Sequence, residues 1–431
     1  MVEVVPFTGL LYNQDKTGPA DRVTAPPYDV ISPQHQEELY ERSPHNVVRL
    51  ILGKIFPEDN ENDNRYTRSK KVFEEWIRDG ILVRDRKPAL YVYCQDYESE
   101  GKKISRIGFF ARVRTEDFST GNICPHEFTL AKAKKDRTHL LEACRANFSP
   151  VFGLFSDAGG EIDRRLERIK DEQPLAEVSE NGIDHRFWRL EDEDTISFIS
   201  KSFSDKKVFI ADGHHRYETA LGFHKNHGHE VEDSAHVMMF LTNLDSQSLS
   251  IFPIHRLIKS PAPFNKEKFL ARIGKHFDIE TLPAGVEADG IKSALEASGK
   301  EGIVFCAHLG KGESYLLKLR STEDILPLLE KDEAADLQVL GVSQLHTLVI
   351  KSILHIDTKK PENQQYITYK ADPREALKLI DSGEFDLAFL MNPTPILQVR
   401  SLAEKGIRLP QKATFFYPKL LSGLVINKFG P

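Results

Sequence analysis

The sequence predicts a mixed α/β protein, of the α+β kind, built from two domains. Three observations carry this. The 431 residues exceed what one ordinary core organises. Short apolar runs with strand character alternate with segments of helical period. A proline-rich break, Lys259-Ser260-Pro261-Ala262-Pro263, then interrupts the pattern, because its prolines disfavour both helix and central strand. Residues 1–260 are expected to form an N-terminal mixed-sheet domain and 261–431 a smaller C-terminal α/β domain.

Taken in order, Ser32-Pro33 places a hydroxyl cap before a first-turn proline and predicts a helix over Gln34 to Arg42. Strands are expected over 89–94, 107–113, 151–155 and 207–211, where apolar residues are bounded by turn formers. Residues 130–143 read as a helix. Beyond the break, 266–276 and 290–297 read as helices, and 303–307, 315–319 and 386–391 as strands. Thr394-Pro395 opens a last helix closed by Gly406.

Hydrophobic residues make up 40% and charged residues 29%, the balance of a globular chain, and the net charge of -7 argues against a general nucleic-acid surface. No apolar run approaches the roughly 18 residues of a membrane-spanning helix. The opening residues lack the basic and apolar regions of a signal peptide, so a cytoplasmic protein is expected. Four widely spaced cysteines, Cys94, Cys124, Cys144 and Cys306, suit a reducing compartment and form no metal-type pair. His224, His227 and His229 lack a matching cysteine or carboxylate pattern, and no metal site is read there.

Chemistry concentrates at Ala211-Asp212-Gly213-His214-His215-Arg216. A strand precedes it, and Tyr217, Ala220, Leu221 and His224 recur at the spacing of one helix face. Asp212 is therefore expected to cap a helix, Gly213 to allow close approach of the backbone, and the first-turn amides to form an anion cradle. His214, His215 and Arg216 add donors suited to phosphate oxygens. The bland alternative is a capped helix whose histidines pack or face water.

A second cluster, Pro125-His126-Glu127-Phe128-Thr129, is followed by Lys132, Lys134, Lys135, Asp136 and Arg137. Glu127 is a candidate general base and Arg137 a phosphate-binding cation, with His126 and Thr129 beside the substrate; the same lysines also fit a solvated helix face. Ala25-Pro26-Pro27-Tyr28-Asp29 is a rigid stretch that delivers an aromatic ring and a carboxylate, as a binding loop or as a plain turn. Residues 409–419 interleave two lysines with three aromatics, a pattern that favours aromatic docking on the core over a ligand platform. No P-loop, Rossmann fingerprint or nucleophile elbow is present.

These segments resemble the bacterial and archaeal family labelled domain of unknown function 1015 over nearly the whole chain. The resemblance is carried by 25–32, 88–93, His126 to Thr129 with Asp136-Arg137, 210–221 and 415–423. Over about five residues, Asp212 to Arg216 is also similar to the phosphate-binding turn of the ParB and sulfiredoxin superfamily, whose free-serine kinases carry an Asp-Gly-His-His-Arg turn and a glutamate base. Glu127 does not match by motif.

The resemblance implies a nucleotide-dependent phosphotransferase acting on a small hydroxyl compound, with free L-serine the first acceptor to test and ATP or ADP the donor. In that expectation Gly213, His214, His215 and Arg216 hold the phosphates, Asp212 helps hold Mg²⁺, and Asp212, His215 and Glu127 serve the chemistry, while Tyr28, Asp29, His126 and Thr129 meet the substrate. The alternatives are a nucleotide-responsive regulatory protein of ParB-like type and a metal-dependent hydrolase using His214 and His215. The oligomeric state is not legible.

Overall fold

The computed structural model describes the chain apart from residues 100, 130, 330–334, 411 and 431. Leu130, at the start of one expected helix, and Gln411, within the aromatic and lysine segment, lie outside the described residues. The chain forms two compact units. The first comprises Met1–Pro125, Thr129–Ser250 and Pro418–Pro431, and the second His126–Phe128 and Ile251–Tyr417.

Among the described residues, the first unit holds a nine-stranded sheet. Its strands run Ile123–Cys124, Val208–Asp212, Val151–Phe155, His236–Asn243, Lys102–Arg114, Leu90–Ser99, Ile183–Leu190 and Ala176–Glu180, with Val4–Val5 added alongside Lys102–Arg114. Most neighbours are antiparallel. Val208–Asp212 is parallel to Ile123–Cys124, and His236–Asn243 to Val151–Phe155, so the sheet is mixed as expected.

Continuous apolar runs in the central strands reflect a sheet covered on both faces. On one, Leu90, Val92 and Cys94 pack with Phe109, Ala111 and Val113. Tyr91 and Tyr93 alternate to the other, where they meet Phe187, Phe110 and Phe240. Each large apolar side chain buried in this way contributes about 1.5–3 kcal/mol before entropy is counted. Helices Ala131–Cys144 and His214–His227 share an apolar contact through Leu141 and Phe223. Helix Pro33–Arg42 starts as its sequence signals, the Ser32 hydroxyl accepting the His35 amide at 3.1 Å.

The second unit contains a six-stranded sheet in the order Phe277–Thr281, Ser314–Leu319, Val304–His308, Leu387–Met391, His255–Ile258 and Ile367–Lys370, antiparallel throughout. Helices Lys266–Ile273, Ala288–Ser298, Pro373–Asp381 and Ile396–Glu404 belong to this unit.

The division differs from the expected break at 260. His255–Ile258 is already paired into the second sheet, so the prolines after it follow a strand and do not link domains. The chain's end also departs from the expectation. Asn427–Lys428 pairs with Ala146–Asn147, which returns the last segment to the first unit. Among the described residues, no helix is long and apolar enough to cross a membrane.

Candidate functional site

Strand Val208–Asp212 ends in a register irregularity between Ile210 and Asp212 against Val151–Phe155. Such a shift re-aims the side chain that follows it. Asp212 is accordingly the last residue of the strand and not the helix cap expected of it. Gly213, which has no side chain to cap with, takes the cap position with φ +87°. Its Asp212 neighbour turns instead to cations: Oδ2 accepts from Arg216 Nη2 at 2.9 Å and Oδ1 from Lys419 Nζ at 3.2 Å.

Arg216 folds back across the start of its own helix. A β-carbon on Gly213 would stand 2.9 Å from Arg216 Nε and 3.0 Å from Cζ. The glycine is thus required twice, for a left-handed backbone and for the guanidinium lying over it. Arg216 Nη1 also donates to the Pro150 carbonyl. His214 is buried and His215 half-buried in the first turn. Tyr217 anchors the helix, its hydroxyl accepting the Glu116 amide at 2.8 Å and donating to the Glu116 carbonyl at 2.9 Å.

Other predicted residues of the first unit join this junction. Arg137 and Arg216 both line a small cavity of about 50 Å³. The Arg137 guanidinium lies 3.9 Å from the centre of the Tyr28 ring, and burial raises the Tyr28 hydroxyl pKa against the opposing pull of Arg137. Asp29 and Arg216 also act electrostatically on Tyr28. Arg137 is itself held by Asp136, at 2.8 Å from Nε, and by the Ile51 carbonyl, at 3.0 Å from Nη1. Thr129 donates to Glu218 Oε2 at 2.7 Å, and Lys134 reaches the same oxygen at 3.2 Å. Ala25 and Ser422 exchange backbone hydrogen bonds, so the Tyr28 loop is tied to the segment that carries Lys419.

His126 and Glu127 fall in the second unit. The His126 ring is buried and pairs through Nε2 with the Thr414 hydroxyl at 2.9 Å. Glu127 bridges Leu409, and its Oε1 accepts the Ala413 amide at 3.0 Å. Its charge acts on the fully buried Arg256 and on the half-buried Tyr369, both in the same unit. The aromatic segment docks on the core as its composition favours, with Phe416 buried and Tyr417 stacked on Phe252 at 4.7 Å.

Sequence reasoning named Lys419 only as one of the two lysines in 409–419, without linking it to Asp212, and passed over Glu218. Lys419 stands two residues beyond the aromatic run, within a segment read for its rings; Glu218 lies two residues past Arg216, off the helix face read for its apolar spacing. It also passed over a cavity of about 800 Å³ in the first unit, lined by Tyr12, Asp85, Arg189 and Phe187 among others and by none of the junction residues. Of the predicted site residues, Arg137 and Arg216 line the smaller cavity.

Both oxygens of Asp212 face cations, so this carboxylate does not fit a direct Mg²⁺ ligand. Among the described residues, no group of three or more His, Cys, Asp and Glu side chains is set to hold a metal ion, and the four cysteines are buried and unbridged.

A mixed sheet whose strand Val208–Asp212 turns through a left-handed glycine into a helix, with Arg216 folded over the turn, defines a mixed α+β protein with a basic strand-turn-helix junction. The chain belongs to the family described as Protein of unknown function (DUF1015), whose match covers residues 4–343. No curated protein matches the sequence. Among solved structures, a conserved hypothetical protein from Pyrococcus furiosus is similar at 13% identity and a TM-score of 0.37, covering 73% of this chain and 92% of that one. A free serine kinase in complex with AMP is similar at 14% identity and a TM-score of 0.36, over 72% and 86%. SbnI with C-terminal truncation from Staphylococcus aureus is similar at 13% and 0.35, over 73% and 86%. Likenesses this distant carry neither fold nor activity across to the chain.

Proposed function

We propose that the Asp212–Arg216 junction binds the phosphates of a nucleotide and that the chain is a nucleotide-dependent phosphotransferase acting on a small hydroxyl compound. One observation supports this most: Arg216 and Lys419 share the Asp212 carboxylate at the start of helix His214–His227, where Gly213 holds the cap position. Amides of a first turn and a guanidinium fork suit phosphate, which presents more oxygens and more charge than the carboxylate now between the cations.

In this reading Gly213, His214, His215 and Arg216 hold the phosphates, with Arg137 contributing positive charge from the neighbouring helix. Tyr28, Asp29, His126 and Thr129 are the substrate-side candidates. The acceptor oxygen bonds to the terminal phosphorus as the bridging P–O bond breaks, releasing ADP from ATP or AMP from ADP, and the hydroxyl proton passes to a general base, for which Glu127 is the candidate. Mg²⁺ would enter as the counter-ion that accompanies the nucleotide. Free L-serine is the first acceptor to test, on the resemblance of the Asp212–Arg216 turn to that of free-serine kinases.

The test is phosphoserine formation by purified protein supplied with ATP or ADP; no product with either donor removes the serine assignment. A second reading, a nucleotide-responsive regulatory protein, draws on one observation: the junction cations lie in the first unit, while Glu127 is built into the second and already accepts the Ala413 amide. Nucleotide binding without turnover on any hydroxyl acceptor selects it.

A further inference from the structure

Lys419 has the placement of a built residue. Its ammonium lies 3.2 Å from Asp212 Oδ1, and its side chain is 14% exposed. The backbone behind it is pinned from the interior of the sheet. Gln95, fully buried, donates to the Lys419 carbonyl at 3.0 Å, and Arg106, also fully buried, donates to the adjacent Pro418 carbonyl. The two are joined, Arg106 Nε reaching Gln95 Oε1 at 3.2 Å. Burial pulls the Arg106 pKa down to about 10, which leaves it charged at neutral pH.

A buried cation carries a desolvation cost of several kcal/mol, and here two polar side chains of neighbouring strands converge on a single dipeptide. The result is a lysine aimed at the strand-to-helix turn. Arg216 takes one oxygen of Asp212 and Lys419 the other. A phosphate group offers three peripheral oxygens and accommodates both cations together with the first-turn amides, Lys acting as a point charge where Arg acts as a fork.

Resting on the nucleotide reading above, we propose that Lys419 is the second phosphate-binding cation of the junction and that Asp212 is its resting counter-ion. When nucleotide binds, the ammonium leaves Asp212 for a phosphate oxygen. Gln95 and Arg106 are positioning residues that hold the backbone from which it reaches.

The experiment compares wild type, Lys419→Met, Lys419→Arg and Arg216→Ala by calorimetry with ATP and with tripolyphosphate, which has no base. Lys419→Met is expected to weaken both by tenfold or more and Lys419→Arg to recover most of that loss. In wild type, ATP should also slow acylation of the Lys419 amine, read by mass spectrometry; this needs no variant and stands if Lys419→Met fails to fold. Affinity unchanged in Lys419→Met, or acylation unchanged by ATP, while Arg216→Ala loses binding, overturns the role of Lys419 and leaves the nucleotide reading intact. Wild type that binds neither ATP nor tripolyphosphate overturns both.

Discussion

The Arg216 guanidinium lies where a side chain on Gly213 would begin, 2.9 Å from the position of a β-carbon there. The cation and the glycine form one unit, and each constrains what replaces the other.

Replacing Gly213 with valine therefore does more than obstruct a ligand. The backbone at φ +87° disfavours any side chain, a β-branched one most, and Arg216 must move from Asp212 and Pro150. A loss of about 1–2 kcal/mol in stability is expected, together with loss of nucleotide binding. Denaturant midpoints and calorimetry check the two effects; an unshifted midpoint contradicts the geometry.

Arg216→Ala removes the fork and keeps the turn. Hydrogen bonds to charged groups contribute about 1.5–3 kcal/mol, so nucleotide affinity should fall by roughly tenfold to a hundredfold with the melting temperature within a few degrees of wild type. Equal affinity in the variant removes the junction from the phosphate site.

Glu127→Gln keeps an oxygen that can accept the Ala413 amide and removes the proton acceptor. Turnover should drop by about a hundredfold or more, the usual contribution of a positioned base, while nucleotide affinity holds. Undiminished turnover assigns the base elsewhere.

Acidification should weaken the fold through buried histidines. Burial, followed by the charge of Arg106, pulls His185 down to about 4 from an ordinary value of 6.5, and burial does the same to His255 in the second unit. Both are neutral in the folded chain where the unfolded chain takes up protons. Their contribution is complete above pH 6.5 and is lost as pH falls from 6.5 toward 4, by up to about 1.4 kcal/mol per pH unit for each. Denaturation at pH 7 and pH 4.5 measures the slope, and His185→Gln should flatten part of it; the same slope in that variant shows that His185 does not carry it.

Much of this was legible in the sequence. The strand leading to Asp212 and the helix through Tyr217 followed from apolar spacing, and the Ser32-Pro33 start from cap chemistry. The role of Asp212 at the strand end was not, because a register shift between Ile210 and Asp212 depends on the partner strand. The pairing of Lys419 with Asp212 escaped because 207 positions separate the two. Gln95 and Arg106 escaped because a polar residue in a strand reads as solvent-facing until the opposite layer is known. The prolines at 261 and 263 suggested a linker since pattern alone cannot reveal that the strand before them pairs with Ile367–Lys370.

The return of Pro418–Pro431 to the first unit sets an order of assembly during translation. The ribosome releases the opening 250 residues, then the whole of Ile251–Tyr417, before it delivers Lys419 and the strand Asn427–Lys428 that pairs with Ala146–Asn147. The nascent first unit thus carries an unfilled edge and an incomplete charge cluster while Ile251–Tyr417 is made, a period when exposed edges favour misassembly. The junction is completed only by the segment after Tyr417, so a chain cut there lacks Lys419 together with Ile426 and Phe429, which are buried in the core of the first unit.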